Sequence, residues 1–263
     1  MDLGSIDLNA ILASIDLVAL LPFIAVGFAA QLVDGALGMA FGVICNTLLV
    51  GLLGVAPARA SAQVHVVKCF TGAISGLSHV LHGNVDWPLF WKLTLPAIAG
   101  GVLGAYGISA IDPKAAKPFV LIFLTGIGLY LLWRGFTHVE IKRKVRHVRP
   151  LGFIGGFLDA GGGGGWGPVV TSNLLIQGAE PRKVIGTVNT SEFFLTVAIS
   201  AAFIANLGFS DFAGATLGLL IGGVLAAPFG AWAAKHFQPR ILMIMVGVVL
   251  TITSSYGIYH ALS

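Results

Sequence analysis

An all-α polytopic membrane protein is the fold class this chain predicts, and three observations predict it. Hydrophobic residues make up 56% of the 263 positions and charged residues only 10%, with a mean hydropathy of +0.92. A soluble domain of that length needs a polar exterior that these residues do not supply. Apolar stretches near membrane-spanning length recur along the chain, separated by short turns rich in Pro, Gly and charge. The order of those stretches then repeats after about 125 residues, the mark of an internal duplication.

The first half begins with an N-terminal segment, 1–18, that carries Asp2, Asp7 and Asp16 with no Lys or Arg. It lacks the basic start of a signal peptide and is expected to face outward, uncleaved. Ile15 to Val33 reads as an apolar helix, broken in the stretch Val33-Asp34-Gly35-Ala36-Leu37-Gly38-Met39-Ala40-Phe41-Gly42-Val43 and followed by a second apolar segment, Val43 to Val55. A hydrocarbon core about 30 Å thick needs about 20 helical residues, so these two short or tilted segments read as a hairpin closed by Pro57. Ala60 to Leu81 is long enough to cross. Its Ser61, His65, Lys68, Gly72, Gly76 and His79 step by three or four residues, which places them on one helical face that must avoid lipid. Trp87 to Ala110 and Phe119 to Trp133 complete the half, with Asp112-Pro113-Lys114 between them.

The cycle then restarts: Leu151 to Leu158, the run Asp159-Ala160-Gly161-Gly162-Gly163-Gly164-Gly165-Trp166-Gly167-Pro168, then Val169 to Ile176. No continuous helix is expected through the run, because each glycine costs about 1 kcal/mol relative to alanine and Pro168 removes a donor. Spans follow at Val184 to Ala205, Ala213 to Ala234 and Ile241 to His260. Asp34 matches Asp159, Gly42 matches Gly167, Pro57 matches Pro181, Arg59 matches Lys183, Asp86 matches Asp211, Gly104 matches Gly230 and Pro113 matches Pro239. The expected division is a first repeat at 19–134, a basic linker at 135–150 and a second repeat at 151–263. A hairpin plus three spans crosses an odd number of times, so the second copy should be inverted relative to the first. The stretch Arg134 to Arg149 carries six basic residues and Glu140, which places this linker in the cytoplasm rather than on nucleic acid.

Two broken helices in matching halves point to a transporter of a small anion. Broken ends bare backbone amides with partial positive charge, and two such ends brought together can hold an anion from opposite sides. The amides of Gly163, Gly164, Gly165 and Gly167 are candidates for that cradle, against the simpler reading of close helix packing. Lys68 stands in the middle of a span, where a lysine needs a cavity or a counter-ion. Its repeat partner is Glu192, so an intramembrane ion pair that opens when an anion arrives is expected, and Glu192 is a candidate proton carrier. His65 matches Asn189, and both side chains offer hydrogen bonds to anion oxygens, with a hydrogen-bonded interior histidine as the equal alternative for His65. Asp34 and Asp159 precede the breaks and read either as local caps or as ion-coupling carboxylates. Trp166 reads as a stacking surface for an organic tail or as a plug. Cys45 and Cys69 lie in apolar segments as small buried side chains. His79 and His82 are expected near the membrane interface, and their HxxH spacing lacks a third ligand for a metal.

These residues resemble the TauE/SafE sulfite exporter family, also called the toluene sulfonate uptake permeases. The resemblance rests on Gln31-Leu32-Val33-Asp34-Gly35-Ala36-Leu37-Gly38 with Pro57-Ala58-Arg59-Ala60-Ser61, and on Gly155-Gly156 through Gly167-Pro168 with Pro181-Arg182-Lys183-Val184-Ile185-Gly186-Thr187. It implies a secondary transporter of sulfite, sulfonates such as sulfoacetate, or related sulfur anions, in a cell membrane of bacterial cytoplasmic type. The first break departs from the family in lacking its glycine triad, and an acidic residue is associated with the position of Lys68. From the residues themselves, the expected substrate contacts are Ser61, His65, Lys68, Asn189, Gly163, Gly164, Gly165, Trp166 and Gly167, with Glu192, Asp34 and Asp159 as proton or ion coupling groups. The expected partners are the anion and the lipid bilayer, with no cofactor and no metal.

Other classes fit less well. Gly162 to Gly167 formally satisfies GxGxxG, but no strand precedes it and no Lys-Ser or Lys-Thr completes a phosphate loop. A passive anion channel is the nearest alternative, and an integral membrane enzyme using His65, Lys68 and Glu192 is the more distant one, since catalysis does not call for two inverted copies.

Overall fold

The computed structural model describes residues 17–37, 39–137, 146–208, 213–236 and 239–262. Among these, every regular element is a helix: α1 (Leu17–Leu37), α2 (Phe41–Gly51), α3 (Pro57–Leu81), α4 (Trp87–Ala110), α5 (Pro113–Phe136), α6 (Val148–Gly162), a π-helical turn (Trp166–Thr171), α7 (Ser172–Ile176), α8 (Pro181–Leu207), α9 (Ala213–His236) and α10 (Pro239–Leu262). The expectations for the extreme N-terminus, for the centre of the basic linker and for Asp211 lie outside the described residues.

Prolines set where the helices start. Pro57, Pro113, Pro181 and Pro239 each occupy the first helical position, where the missing N–H has no intrahelical partner to lose and the fixed φ suits the helix. The spans expected from Ala60, Phe119, Val184 and Ile241 therefore begin two to six residues earlier, at the prolines that the sequence assigned to turns. Asp86 caps α4 through Leu89 N at 3.1 Å, and Asp112 caps α5 through Lys114 N at 2.8 Å.

Among the described residues, five segments are long and apolar enough to cross a membrane: Pro57–Leu81, Trp87–Ala110, Pro113–Phe136, Arg182–Leu207 and Met243–Ala261. Their outward faces carry large apolar side chains, among them Ile74, Leu81, Phe119 and Ile252, all more than half exposed. In water such a belt would be a very large apolar patch, and in lipid it is the ordinary exterior.

Lipid tails are as apolar as leucine, so helices in a bilayer associate through close packing at small residues rather than by escaping the solvent. α4 and α6 do this reciprocally. A Cβ added at Gly100 or Gly104 would strike the backbone of Phe153 or Phe157, and one at Gly152 or Gly156 would strike the backbone of Leu93 or Ala97. α1 packs on α9 in the same way through Gly27, Gly218 and Gly222. α5 pairs with α10 and α3 with α8. α3 and α8 hold the centre, and the paired outer helices flank them.

Candidate functional site

Both breaks expected from the sequence are present, and both are narrower than expected. α6 continues through Asp159-Ala160-Gly161-Gly162 and ends only at Gly163, because packing against α4 outweighs the low helix propensity of glycine. Gly163 (φ +77°) and Gly164 (φ +141°) then turn the chain through left-handed conformations that glycine adopts without strain. The chain leaves the break as a π-helical turn rather than a regular helix. Arg146 N, just before α6, donates to Gln177 Oε1, just after α7, so the two ends of this segment meet and it forms a hairpin. In the first half α1 runs to Leu37, and Ala40 (φ 104°) precedes α2.

Each break is tied by the aspartate that precedes it. Asp34 Oδ1 accepts the amide of Phe41 at 2.9 Å. Asp159 Oδ1 accepts the amides of Gly165 at 2.9 Å and Trp166 at 3.0 Å. A carboxylate thus sits where an anion was expected to meet the exposed amides of the second break. The two breaks also touch. Asn46, on α2, donates through Nδ2 to the Gly42 carbonyl at 3.2 Å and to the Gly163 carbonyl.

A cavity of about 290 Å³ opens beside this junction. Both halves line it: Gln31, Asp34 and Gly42 from the first hairpin, Gly165, Trp166 and Gly167 from the second, Lys68 from α3, and Asn189 and Glu192 from α8. The central cation is Lys68, only 8% exposed. Its Nζ forms an ion pair with Glu192 Oε1 and lies 3.9 Å from Asp159 Oδ2. In this largely enclosed site those charges hold each other, and removing one partner of a buried pair typically costs about 3–5 kcal/mol.

Behind the cavity, Ser61 and His65 are fully buried. The Ser61 hydroxyl donates to the Ala160 carbonyl at 2.8 Å. His65 Nδ1 lies 2.7 Å from the Ser61 carbonyl oxygen, and Nε2 lies 3.1 Å from Asp159 Oδ2. Trp166 has no exposed surface, and its indole N–H donates to the Val188 carbonyl at 3.2 Å.

Of the residues singled out from the sequence, Lys68, Asn189, Gly165, Trp166, Gly167, Glu192, Asp34 and Asp159 line one cavity. Ser61 and His65 stand one layer behind, joined to it through Asp159. Gly163 and Gly164 face the other hairpin, with no space for a Cβ against Asn46 at the first or against Gly42 and Val43 at the second. The sequence reading did not single out Thr71, Ser75 and Thr171, which also line the cavity, or Asn46. Thr71 and Ser75 share the polar face of α3. Asn46 is a lone amide in an apolar segment of eleven residues, a signal available in the sequence. His79, expected at the interface, is half-buried at the cavity margin.

The long apolar helices agree with what comparison shows. The family model for the sulfite exporter TauE/SafE matches residues 23–257. The chain is 42% identical over 237 residues to "Probable membrane transporter protein YtnM" of Bacillus subtilis (strain 168), covering 87% of this chain and 79% of that protein. No solved structure matches significantly. A match over most of the chain, with a relative of that identity, makes this protein a multi-pass membrane transporter belonging to the sulfite exporter TauE/SafE family.

Proposed function

We propose that the protein is a secondary active transporter of a small sulfur-containing anion, sulfite or a short sulfonate, and that the anion binds in the cavity at Lys68. The observation that carries this reading is the position of Lys68: a buried cation at the junction of two broken helices, held by Glu192 on α8. An anion entering the cavity competes with Glu192 for the ammonium group, so binding and rearrangement are one event. Asn189 and Gly167 add polar surface on the cavity wall, and its volume suits an inorganic oxyanion or a short organic one.

Charge balance favours coupling to a cation. Lys68 shares its surroundings with Asp34, Asp159 and Glu192, so an anion arriving alone adds to an excess of carboxylate. A proton that neutralises one carboxylate removes the obstacle. The packing of α1 on α9 and α6 on α4 supports two related halves, because the expected repeat exchanges these two pairs. With the basic linker in the cytoplasm, the first hairpin enters from outside and the second from inside, the arrangement that alternating access uses.

The test is uptake into proteoliposomes of labelled sulfite, sulfoacetate and a small carboxylate, with and without an imposed proton gradient. Saturable, gradient-driven sulfite or sulfonate flux is the expected result. Counterflow of labelled against unlabelled substrate separates a carrier from a channel, since a channel shows none. Absence of flux for every anion in vesicles that hold folded protein overturns the reading.

A further inference from the structure

The protons around His65 can be assigned one at a time. Nδ1 faces the Ser61 carbonyl oxygen at 2.7 Å, and a carbonyl oxygen only accepts. The Ser61 hydroxyl lies 3.3 Å from the same nitrogen, but its proton is committed to the Ala160 carbonyl. Nδ1 therefore carries a hydrogen. Nε2 lies 3.1 Å from Asp159 Oδ2, and an ionised carboxylate also only accepts. A neutral imidazole has a single N–H, and here it points at Ser61. The Nε2 to Oδ2 contact needs a second proton, held by the ring as imidazolium or by Asp159 as a carboxylic acid.

We propose that His65 and Asp159 share this extra proton and form the proton-binding site of the transporter, with Lys68 as the group through which the bound proton is felt by the anion. The proposal rests on the proton-coupled carrier reading above and names where the proton resides.

The surroundings suit the role. His65 and Asp159 are both fully buried, yet Asp159 borders the cavity, which gives the pair its nearest route to a proton. From α3, Lys68 stands 3.9 Å from that oxygen. From α8, Glu192 holds Lys68, and the ring of Phe203 lies 6.2 Å from that of His65, closing the far side with an apolar surface. From the π-helical turn and its cap, the amides of Trp166 and Gly165 engage Oδ1. From α1, Asp34 lines the same cavity, and on α2 the Cys45 thiol is buried.

With the proton present, the pair is neutral overall or an internally balanced ion pair, and Asp159 makes little demand on Lys68. An anion then competes with Glu192 alone. When the proton leaves, Nε2 and Oδ2 face each other as two acceptors, and Asp159 gains a full claim on Lys68. The anion meets a second carboxylate and is displaced. Proton and anion therefore favour each other's binding, and linkage makes that preference reciprocal.

Two measurements on the full chain test this. In lipid nanodiscs, protein labelled with nitrogen-15 histidine reports the state of each ring nitrogen, with His65→Gln, or His65→Asn if the first variant does not reconstitute, assigning the signals. The expected result is a protonated Nδ1, with Nε2 either protonated or bare beside an infrared carboxylic-acid band that Asp159→Asn removes. A bare Nδ1 with an Nε2–H facing an ionised Asp159 overturns the proposal. A pH-difference infrared spectrum of the wild-type protein gives a reading that needs no folded variant. In proteoliposomes, the ratio of sulfite flux with an imposed proton gradient to flux without it should fall at least about tenfold in His65→Gln relative to the wild-type protein. Gradient-driven accumulation by His65→Gln at the wild-type level overturns the coupling role. If wild-type vesicles carry no sulfite, the transport reading fails, and the ring-nitrogen measurement still decides whether the pair holds the proton.

Discussion

Asp159 Oδ1 accepts the backbone N–H of Trp166 at 3.0 Å, seven residues further along the chain. Asp34 and Phe41 repeat the relationship across the first break at 2.9 Å. The two bonds have different weights, since Asp159 also accepts from Gly165, contacts His65 and faces Lys68. Asp159→Ala is expected to cost about 3–5 kcal/mol, as for breaking a buried charged network, and Asp34→Ala about 1–3 kcal/mol. Thermal unfolding of both variants in one detergent checks the order, and a larger loss for Asp34→Ala would contradict it.

Lys68→Ala should weaken anion binding at least about tenfold, a change of about 1.4 kcal/mol. It should also destabilise the protein by stranding Glu192 beside Asp159. The double variant Lys68→Ala with Glu192→Gln should recover part of the stability and none of the binding. Calorimetric titration with sulfite and melting in the same buffer separate the two effects.

Trp166 is buried at the cavity wall, while Trp87, Trp91 and Trp133 are exposed on the outer surface. In a variant that keeps Trp166 as its single tryptophan, emission should change saturably with sulfite or sulfoacetate. Adding Lys68→Ala should abolish that change. A response that survives the loss of Lys68 would move the binding site away from it.

Glycines that look alike in the sequence differ sharply in tolerance. Gly156→Leu places a side chain into the backbone of Ala97 and should prevent recovery of monodisperse protein. At Gly107 nothing lies within 4 Å of the added Cβ, so Gly107→Ala should be neutral or stabilising by up to about 1 kcal/mol. Size-exclusion profiles and melting temperatures read both outcomes.

Much of this arrangement was legible in the chain. The spans followed from apolar length, the breaks from glycine and proline, and the Lys68–Glu192 pair from the repeat offset together with the cost of a lysine in lipid. What escaped has physical causes. α6 persists through Gly162 because contact with α4 outweighs local propensity, and propensity is all that a window of sequence records. His65 and Asp159 lie 94 residues apart and are not equivalent in the repeat, so neither periodicity nor duplication pairs them. Gly163 and Gly164 looked like free amides, yet they serve as contact surface for the opposite hairpin.

Asn46 reaches from the first hairpin to the carbonyl of Gly163 in the second, and Gly164 packs on Gly42 beside it. The two hairpins are therefore stitched together beside the cavity. A body pinned at its centre moves by rocking: displacement is smallest at the pin and grows toward the two membrane faces. In the carrier proposed above, Lys68 sits beside that pin, so its neighbours would shift least and an anion held there would stay nearly still as water on either side took turns to reach it.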